Sequence, residues 1–528
     1  MSVTGTAEIL LHCVRSGQGV TAAREPIGYH DCTAMIVVPV FPMQWNLPML
    51  SRRLVLVAVF LVPVCSNLST AAEKPNIILV MADDQGWGDM AYNGHPLLKT
   101  PNFDKAAATG LRFDRFYAAA PVCSPTRASV LTGRHPNRSG VFKWGYPLRP
   151  QESTVAEVLK RAGYATAHFG KWHLGSVRRT SPAHPGHNGF DHWLSAPNFF
   201  DNNAVLSLKG KAVKTTGESS MVTVDAALEW IDDQSQGEAP FLAVVWFGSP
   251  HSPHRAVARD RKPYAGQPVR NQHFLGEVTG MDRAFGKLRD RLGPLGIRDN
   301  TILWYCSDNG ALPRVGSPGP FRGRKGQIYE GGLLVPSILE WPARIKSPRR
   351  TSVRCNTCDI YPTLLEIVGA RAVHQPTLDG VSLVGVIDGK TSKRSRPMGF
   401  WDYQTRGIGT PSAKWMADLL AAQQNGKDLP PHVSSQKAAE LPSPPHSLDR
   451  FPGHAAWIDG QWKLHRIDGK KGTVRFELYD LGTDPSEKTD VAAGEPERVA
   501  KLKAGLGQWL KSVVHSYNGD DYVKESAR

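Results

Sequence analysis

Pro121-Val-Cys-Ser-Pro-Thr-Arg-Ala-Ser-Val-Leu-Thr-Gly133 is the stretch around which the rest of the chain is organised. Its core is Cys123-x-Pro125-x-Arg127. Ser124 reads as a helix cap, Pro125 as the first helical position, and Ala128 to Leu131 continue the helix towards Gly133. Cys123 then falls at a helix N-terminus, where backbone N–H groups and the dipole favour an anion. Arg127 lies within the first turn, on about the same face. A lone cysteine in such a place is by default a buried thiol before an ordinary capped helix.

Working outward, apolar runs end repeatedly in polar clusters. Ile77 to Met81 is a continuous apolar run, as for a strand buried on both faces of a parallel sheet, and it ends in Asp83-Asp84. Paired carboxylates just past such a strand sit where open α/β sheets place their ligands. Thr100 opens a short helix ending near Gly110, and Leu111 to Tyr117 leads as an extended segment into the Cys123 stretch. Thr154-Val-Ala-Glu157 is a capping box opening a helix that Gly163 stops. The strand Tyr164 to Phe169 then runs into Gly170-Lys171-Trp-His173. Val222 to Ile231 is helical, and Phe241 to Phe247 is a buried strand ending in Ser249-Pro-His251-Ser-Pro-His254. After the amphipathic helix Phe274 to Leu292, the strand Thr301 to Cys306 ends in Ser307-Asp308-Asn309. One cleft can collect these clusters. Asp83, Asp84, Asp308 and Asn309 offer only hard oxygen donors, which favours Ca²⁺ or Mg²⁺ over zinc.

Residues 176–218 are polar and Gly/Pro-containing, a candidate substrate-facing region. Asp359 to Gly369 is a helix closing a large domain, 73–395. In the remainder, 396–528, residues 404–453 read as an insertion. It carries a helix around Lys414 to Ala422, then Pro-rich sequence from Leu429 to Pro445, as in a lid or a disordered linker. Ala455 to Arg466 and Arg475 to Leu481 alternate as strands joined by a Gly-Lys-Lys-Gly turn, and Glu495 to Val514 is a final amphipathic helix.

The Cys123 string resembles the first signature of the type I sulfatases, and Gly163-Tyr-Ala-Thr-Ala-His-Phe-Gly-Lys-Trp-His173 resembles the second. Met281-Asp-Arg283 is also as in that family. Gly323-Arg-Lys-Gly-Gln-Ile-Tyr-Glu-Gly-Gly332 is similar to its lysine-bearing loop, with Lys325 at the matching position. The chain departs at Leu333-Leu334, where many relatives carry an arginine, so an extra anion contact from that loop is not expected. The resemblance runs from Lys74 over nearly the whole remaining chain. It implies an alkaline-phosphatase-like α/β fold: a mixed, mostly parallel sheet between helices, plus a small C-terminal domain of antiparallel sheet and one helix.

The resemblance also implies that Cys123 is oxidised to Cα-formylglycine, whose hydrate attacks sulfur in line with the departing alcohol. The second hydroxyl of that hydrate later expels sulfate. The same resemblance makes Asp83, Asp84, Asp308 and Asn309 metal ligands together with residue 123, with Ca²⁺ favoured over Mg²⁺. It makes Lys171 and Lys325 the groups neutralising the sulfate oxygens, and Arg127 the holder of the hydrate. A family histidine in an H-x-P setting selects His251, over His254, for protonating the leaving oxygen, and His173 for assisting the elimination. The implied partners are a sulfated glycan or aryl sulfate and a formylglycine-generating maturation enzyme. The competing readings are a phosphonate or phosphate ester hydrolase of the same superfamily and a non-catalytic sulfoglycan-binding protein.

Composition agrees with a globular enzyme: 528 residues, 41% hydrophobic and 9% aromatic. Seven cysteines are too few for a disulfide framework. Cys355-x-x-Cys358 has no second CxxC or His pair beside it and reads as a local disulfide or two thiols. The net charge of +15 suits a polyanionic substrate as well as it suits ordinary solvated lysines and arginines. No nucleic-acid-binding motif accompanies it. Residues 1–48 read as an upstream extension ahead of the true start at Met49. In 49–72, Met49 to Arg53 is a positive n-region, Leu54 to Val64 an apolar h-region too short to span a bilayer, and Ser69 to Ala72 a cleavage site. These expectations point to an exported protein, periplasmic or secreted, with no stable membrane span.

Overall fold

The computed structural model describes residues 74–432, 439–469 and 472–522. The extension and leader read in 1–72, and the middle of the Gly469 to Gly472 turn, lie outside them. The apolar runs form the centre of an 11-stranded sheet. They are β1 (Asn76–Ala82), β2 (Leu111–Tyr117), β3 (Ala165–Lys171), β4 (His192–Ala196), β5 (Val205–Leu208), β6 (Lys211–Lys214), β7 (Phe241–Trp246), β8 (Thr301–Ser307), β9 (Leu334–Glu340), β10 (Arg349–Thr351) and β11 (Cys355–Asn356). The order is β10-β2-β9-β8-β1-β7-β3-β4-β5-β6, with β11 also on β2. β8, β1, β7, β3 and β4 are mutually parallel, whereas β9, β5 and β6 pair antiparallel to their neighbours.

Alternate strand residues feed two helical layers. Ile77, Leu79 and Met81 face one core with Leu242, Val244, Ile302 and Trp304. That core is covered by α2 (Cys123–Thr132), α3 (Val155–Arg161) and, after the short α1 (Pro101–Thr109) on the other side, by a helix over Ile360–Val368. Ile78 and Val80 face the second core with Ala243, Val245, Leu303 and Tyr305, under α1, α4 (Ser219–Gln234) and α5 (Val269–Arg291). The helix over Ile360–Val368 is α6. The Thr154 capping box forms as read: Thr154 Oγ1 accepts from the Glu157 N–H at 3.1 Å, and Glu157 Oε2 accepts from the Thr154 N–H at 2.8 Å.

Two stretches carry structure that their sequence did not announce. Residues 176–218 supply β4, β5 and β6, so this region lengthens the sheet; strands this short, set among polar residues, leave little periodicity to read. The continuous strand expected over Ala455 to Arg466 is a hairpin, β13 (Gly453–Asp459) and β14 (Trp462–Asp468), because the Gly460-Gln461 pair reverses the chain. With β12 (Met398–Tyr403) and β15 (Val474–Asp480) it makes a separate antiparallel sheet in the order β12-β13-β14-β15. The insertion helix α7 (Ser412–Gln424) joins the main core through Met416 and Leu419. The last helix, α8 (Pro496–Tyr517), packs Leu506, Leu510, Val513 and Val514 on Trp401 and Ala455. No helix among the described residues is long and apolar enough to cross a membrane.

One arginine fastens α8 to the large sheet's helical layer. Arg138, buried in the turn after α2, pairs with Asp379 through two hydrogen bonds of 2.7 and 3.0 Å. It also donates to Ser512 O, Ser512 Oγ and Ser516 Oγ on α8. Burial pushes the Asp379 carboxyl up, but Arg138 and His135 outweigh it and hold it well below the usual carboxylate range. A depressed folded-state pKa adds stability that is full above the unfolded carboxylate value, about 3.9, and is lost as pH falls below it. Arg138→Ala should therefore cost about 3–5 kcal/mol in chemical denaturation at neutral pH, and the deficit should shrink in acid as the unpaired carboxylate protonates.

Candidate active site

Four parallel neighbours, β8, β1, β7 and β3, end at one edge of the sheet, and each delivers polar groups there. Asp83 and Asp84 follow β1, Asp308 and Asn309 follow β8, His251 follows β7, and Lys171 is the last residue of β3. Pairing persists past the strand ends: Asp83 N–H donates to Ser249 O at 2.9 Å, and Asp308 N–H to Ala82 O at 3.2 Å. The clusters are therefore locked in register with the sheet.

Cys123 is itself the first residue of α2, all of whose residues are buried. Ser124 does not cap this helix as the sequence suggested. The N-cap position is Val122, and the Ser124 hydroxyl accepts a hydrogen bond from the Gly145 N–H at 2.8 Å. Pro125 stays within the first turn, where its missing N–H is no loss. Arg127 is fully buried; it donates to Lys171 O at 3.0 Å and to Asp308 Oδ2 at 2.7 Å, and lies over the Trp246 ring.

The remaining charges close on one another. Lys171 Nζ is 2.6 Å from Asp83 Oδ2, and Lys325 Nζ is 2.6 Å from both carboxylate oxygens of Asp84. The Lys325 loop is held by its own N–H on Ala311 O and by the Gly326 N–H on Pro121 O, two residues before Cys123. Its Leu333 and Leu334 lie in a buried apolar cluster and offer no anion contact. Asp84 adopts φ 72°, a costly conformation for a non-glycine residue, fixed here by its N–H on Asp308 Oδ1 at 3.0 Å and by Asn309 Nδ2 donating to its Oδ1 at 2.9 Å.

His251 stacks on Phe199, and its Nδ1 sits 2.6 Å from Ser252 O, which makes Nδ1 the protonated nitrogen. Nε2 is left facing Asp84 Oδ2 at 3.6 Å. His254 turns away to Glu277, 3.2 Å from Oε2. His173, at φ 54°, places Nε2 3.1 Å from Thr410 Oγ1. Burial, with Lys171 and Arg127 adding to it, lowers His173 well below its ordinary value. Burial also brings His251 to about 3, opposed by Asp84, so both imidazoles rest neutral. Burial raises the Cys123 thiol despite Lys171 and Lys325. Burial and the Asp83 charge push Asp308 up to about 6. Asp84 goes the other way, held low by Lys325, His251 and Lys171 against its burial.

Ligand-capable atoms of Asp83, Asp84 and His251 lie within 4.8 Å of one another, as do those of Asp83, Cys123 and Asp308. Asp83 Oδ1 and Asn309 Oδ1 are buried without a hydrogen-bond partner. Orphaned hard oxygens at the centre of a carboxylate cluster fit a divalent cation such as Ca²⁺ or Mg²⁺. Cys306, Cys355 and Cys358 are buried free thiols apart from this chemistry. Sequence reasoning missed Thr410, Phe199 and Asn198, whose Nδ2 donates to Thr410 Oγ1 at 2.9 Å. All three lie in segments without periodicity, and no local pattern marks them.

Known proteins resemble this chain in sequence and in fold. The sequence profile of the Sulfatase family matches residues 75–370. The chain is 33% identical to N-acetylgalactosamine-6-sulfatase of Canis lupus familiaris over 352 residues, covering 60% of this chain and 66% of that protein. It is 31% identical to arylsulfatase G of Rattus norvegicus, covering 62% and 71%. Among solved structures, Ps i-CgsB in complex with k-i-k-neocarrahexaose superposes with a TM-score of 0.70 at 24% identity, covering 86% of this chain and 95% of that one. The match spans about two thirds of the length of the first of these relatives and nearly all of the solved structure. The fold is alkaline-phosphatase-like, and the chain belongs to the sulfatase family, a family of sulfuric ester hydrolases.

Proposed function

We propose that the protein hydrolyses a sulfate ester, on a sulfated carbohydrate or an aryl sulfate, using Cys123 matured to Cα-formylglycine and a bound Ca²⁺. The observation that carries this reading is the ring of opposite charges around Cys123, all buried except the half-buried Lys325: Asp83, Asp84 and Asp308 against Lys171, Lys325 and Arg127. An unmodified thiol suits the role poorly, since burial keeps it protonated. Matured, residue 123 supplies a hydrated aldehyde as nucleophile and a second hydroxyl for releasing sulfate. A divalent cation held by Asp83, Asp84, Asp308, Asn309 and residue 123 supplies Lewis-acid polarisation.

The chain's own residues do the rest. Lys171 and Lys325 present ammonium groups to the non-bridging oxygens, and their carboxylate partners hold them in place. Arg127 holds residue 123 through its bonds to Asp308 and the Lys171 carbonyl. His251, oriented through Nδ1, rests with Nε2 unprotonated; Nε2 takes up a proton from solvent as the negative sulfate ester enters, and passes it to the leaving oxygen. His173, its Nε2 turned to Thr410, assists the elimination step. Because α2 is wholly buried, the maturation enzyme acts before this helix packs. The leader features support export to the periplasm or outside, and the division of the chain at 395/396 into a catalytic domain and a C-terminal subdomain fits the two separate sheets. The name of the canine relative favours a sulfated N-acetylgalactosamine as substrate.

Mutation, peptide mass spectrometry, substrate comparison and chelation test the reading. Cys123→Ala should lower aryl sulfate turnover by about 10³-fold or more with an unchanged melting curve, and peptide mass spectrometry of active wild type should find an aldehyde at residue 123. Faster wild-type turnover of aryl phosphonate than of aryl sulfate would favour the phosphonate hydrolase reading. Exhaustive chelation should abolish activity, with Ca²⁺ restoring it; indifference to chelation removes the metal. His251→Ala should slow a sugar sulfate by about 10²–10⁴-fold but an aryl sulfate with a good leaving group much less, because only the poor leaving group needs the proton.

A further inference from the structure

Trp144 is the only tryptophan among the described residues that stands exposed, at 43%. The segment carrying it is not loose. Lys143 pairs with Asp402 at the end of β12, and the Gly145 N–H donates to Ser124 Oγ at 2.8 Å, the residue next to Cys123. The Trp144 carbonyl accepts from the Ile408 N–H at 2.9 Å. Gly407 lies against the indole so closely that a Cβ there would come within 2.1 Å of Cε2. Only glycine permits that approach, and at φ 82° Gly145 holds a conformation that also favours glycine. Two residues beyond Ile408, Thr410 reaches His173 and Asn198. The strap 405–410 thus runs from the indole to the His173 side of the anion pocket.

A rigid, solvent-facing indole next to the Gly145–Ser124 contact and tied by the strap to His173 suits a ring with one apolar face. Pyranose rings present such a face of C–H bonds, which the negative face of an aromatic ring attracts. We propose that Trp144 is a saccharide-binding platform: the sugar ring that carries the sulfate, or its neighbour in the chain, stacks on the exposed indole while the sulfate enters the charged pocket. The proposal rests on the sulfatase reading and adds to it a pyranoside, rather than a simple aryl group, as the recognised body. Preorganisation by Gly407, Gly145 and the strap keeps the ordering cost of binding low.

The test compares wild type, Trp144→Ala and Trp144→Phe, as full chains, on sulfated oligosaccharides, with inorganic sulfate as competitive inhibitor. Trp144→Ala should raise KM for a sulfated oligosaccharide about three- to tenfold, with most of the loss recovered in Trp144→Phe. The inhibition constant of inorganic sulfate should stay within twofold in both variants, because sulfate alone fills only the charged pocket. An unchanged KM in Trp144→Ala overturns the platform. A parallel rise in KM and in the sulfate inhibition constant overturns it too, making Trp144 a strut for the strap and His173. Wild type that turns over aryl sulfate but no sulfated saccharide overturns the platform alone, whereas wild type that turns over no sulfate ester overturns the sulfatase reading beneath it.

Discussion

Mutual neutralisation of buried charge is the constraint on which this structure depends. Asp83, Asp84, Asp308 and Lys171, at the ends of neighbouring strands, and Arg127, on α2, are all removed from solvent. Isolated, each would cost several kcal/mol to bury; they persist because every charge has an opposite partner within hydrogen-bonding reach. The parallel sheet makes this feasible, since adjacent strand ends bring residues hundreds of positions apart into one register. The cluster is also why the loops beyond the strands are so closely tied: a shift of an ångström would leave a buried charge unmatched.

The same logic reaches into the C-terminal sheet. Glu330, in the loop that carries Lys325, accepts from Lys463 at 2.9 Å and from Tyr117 at 2.8 Å, and its N–H donates to Glu487 at 2.6 Å. Lys463 is itself fully buried on β14, and His465 beside it bonds Glu487 at 2.7 Å. The second sheet therefore anchors the base of the Lys325 loop. A domain that looks peripheral in the chain order sets where one of the pocket's cations stands.

Much of this was legible in the sequence, and the reasons are physical. Ile77 to Met81, Phe241 to Phe247 and Thr301 to Cys306 are buried on both faces, so each reads as an unbroken apolar run ending where polarity returns. Lys325 was legible only through the loop's resemblance to known sulfatases, because a turn built on glycine spacing leaves no periodicity. Ser124 was misread because capping propensity is local, while its hydroxyl is claimed by Gly145, a partner set by tertiary packing. Thr410 and Phe199 were invisible for a related reason: their contacts to His173 and His251 span long separations through segments with no repeating pattern. The hairpin at Gly460 was overlooked because β13 and β14 together alternate much as one long strand would.

The insertion after β12 was expected to be a lid or a disordered linker, and its described part is ordered and tied to the rest of the chain. Gln423 on α7 bridges the β5–β6 turn, accepting from the Ala212 N–H at 2.9 Å and donating to Gly210 O at 2.9 Å. Beyond it, Arg178 and Thr180 donate to the carbonyls of Pro430 and Leu429. Such stitching means the insertion takes its place as the chain folds, not around an arriving molecule. Where it borders the His173 side through Thr410, it offers a fixed outline, like a keyhole cut in advance, and that stretch forgoes the adaptability that a hinged cover would allow.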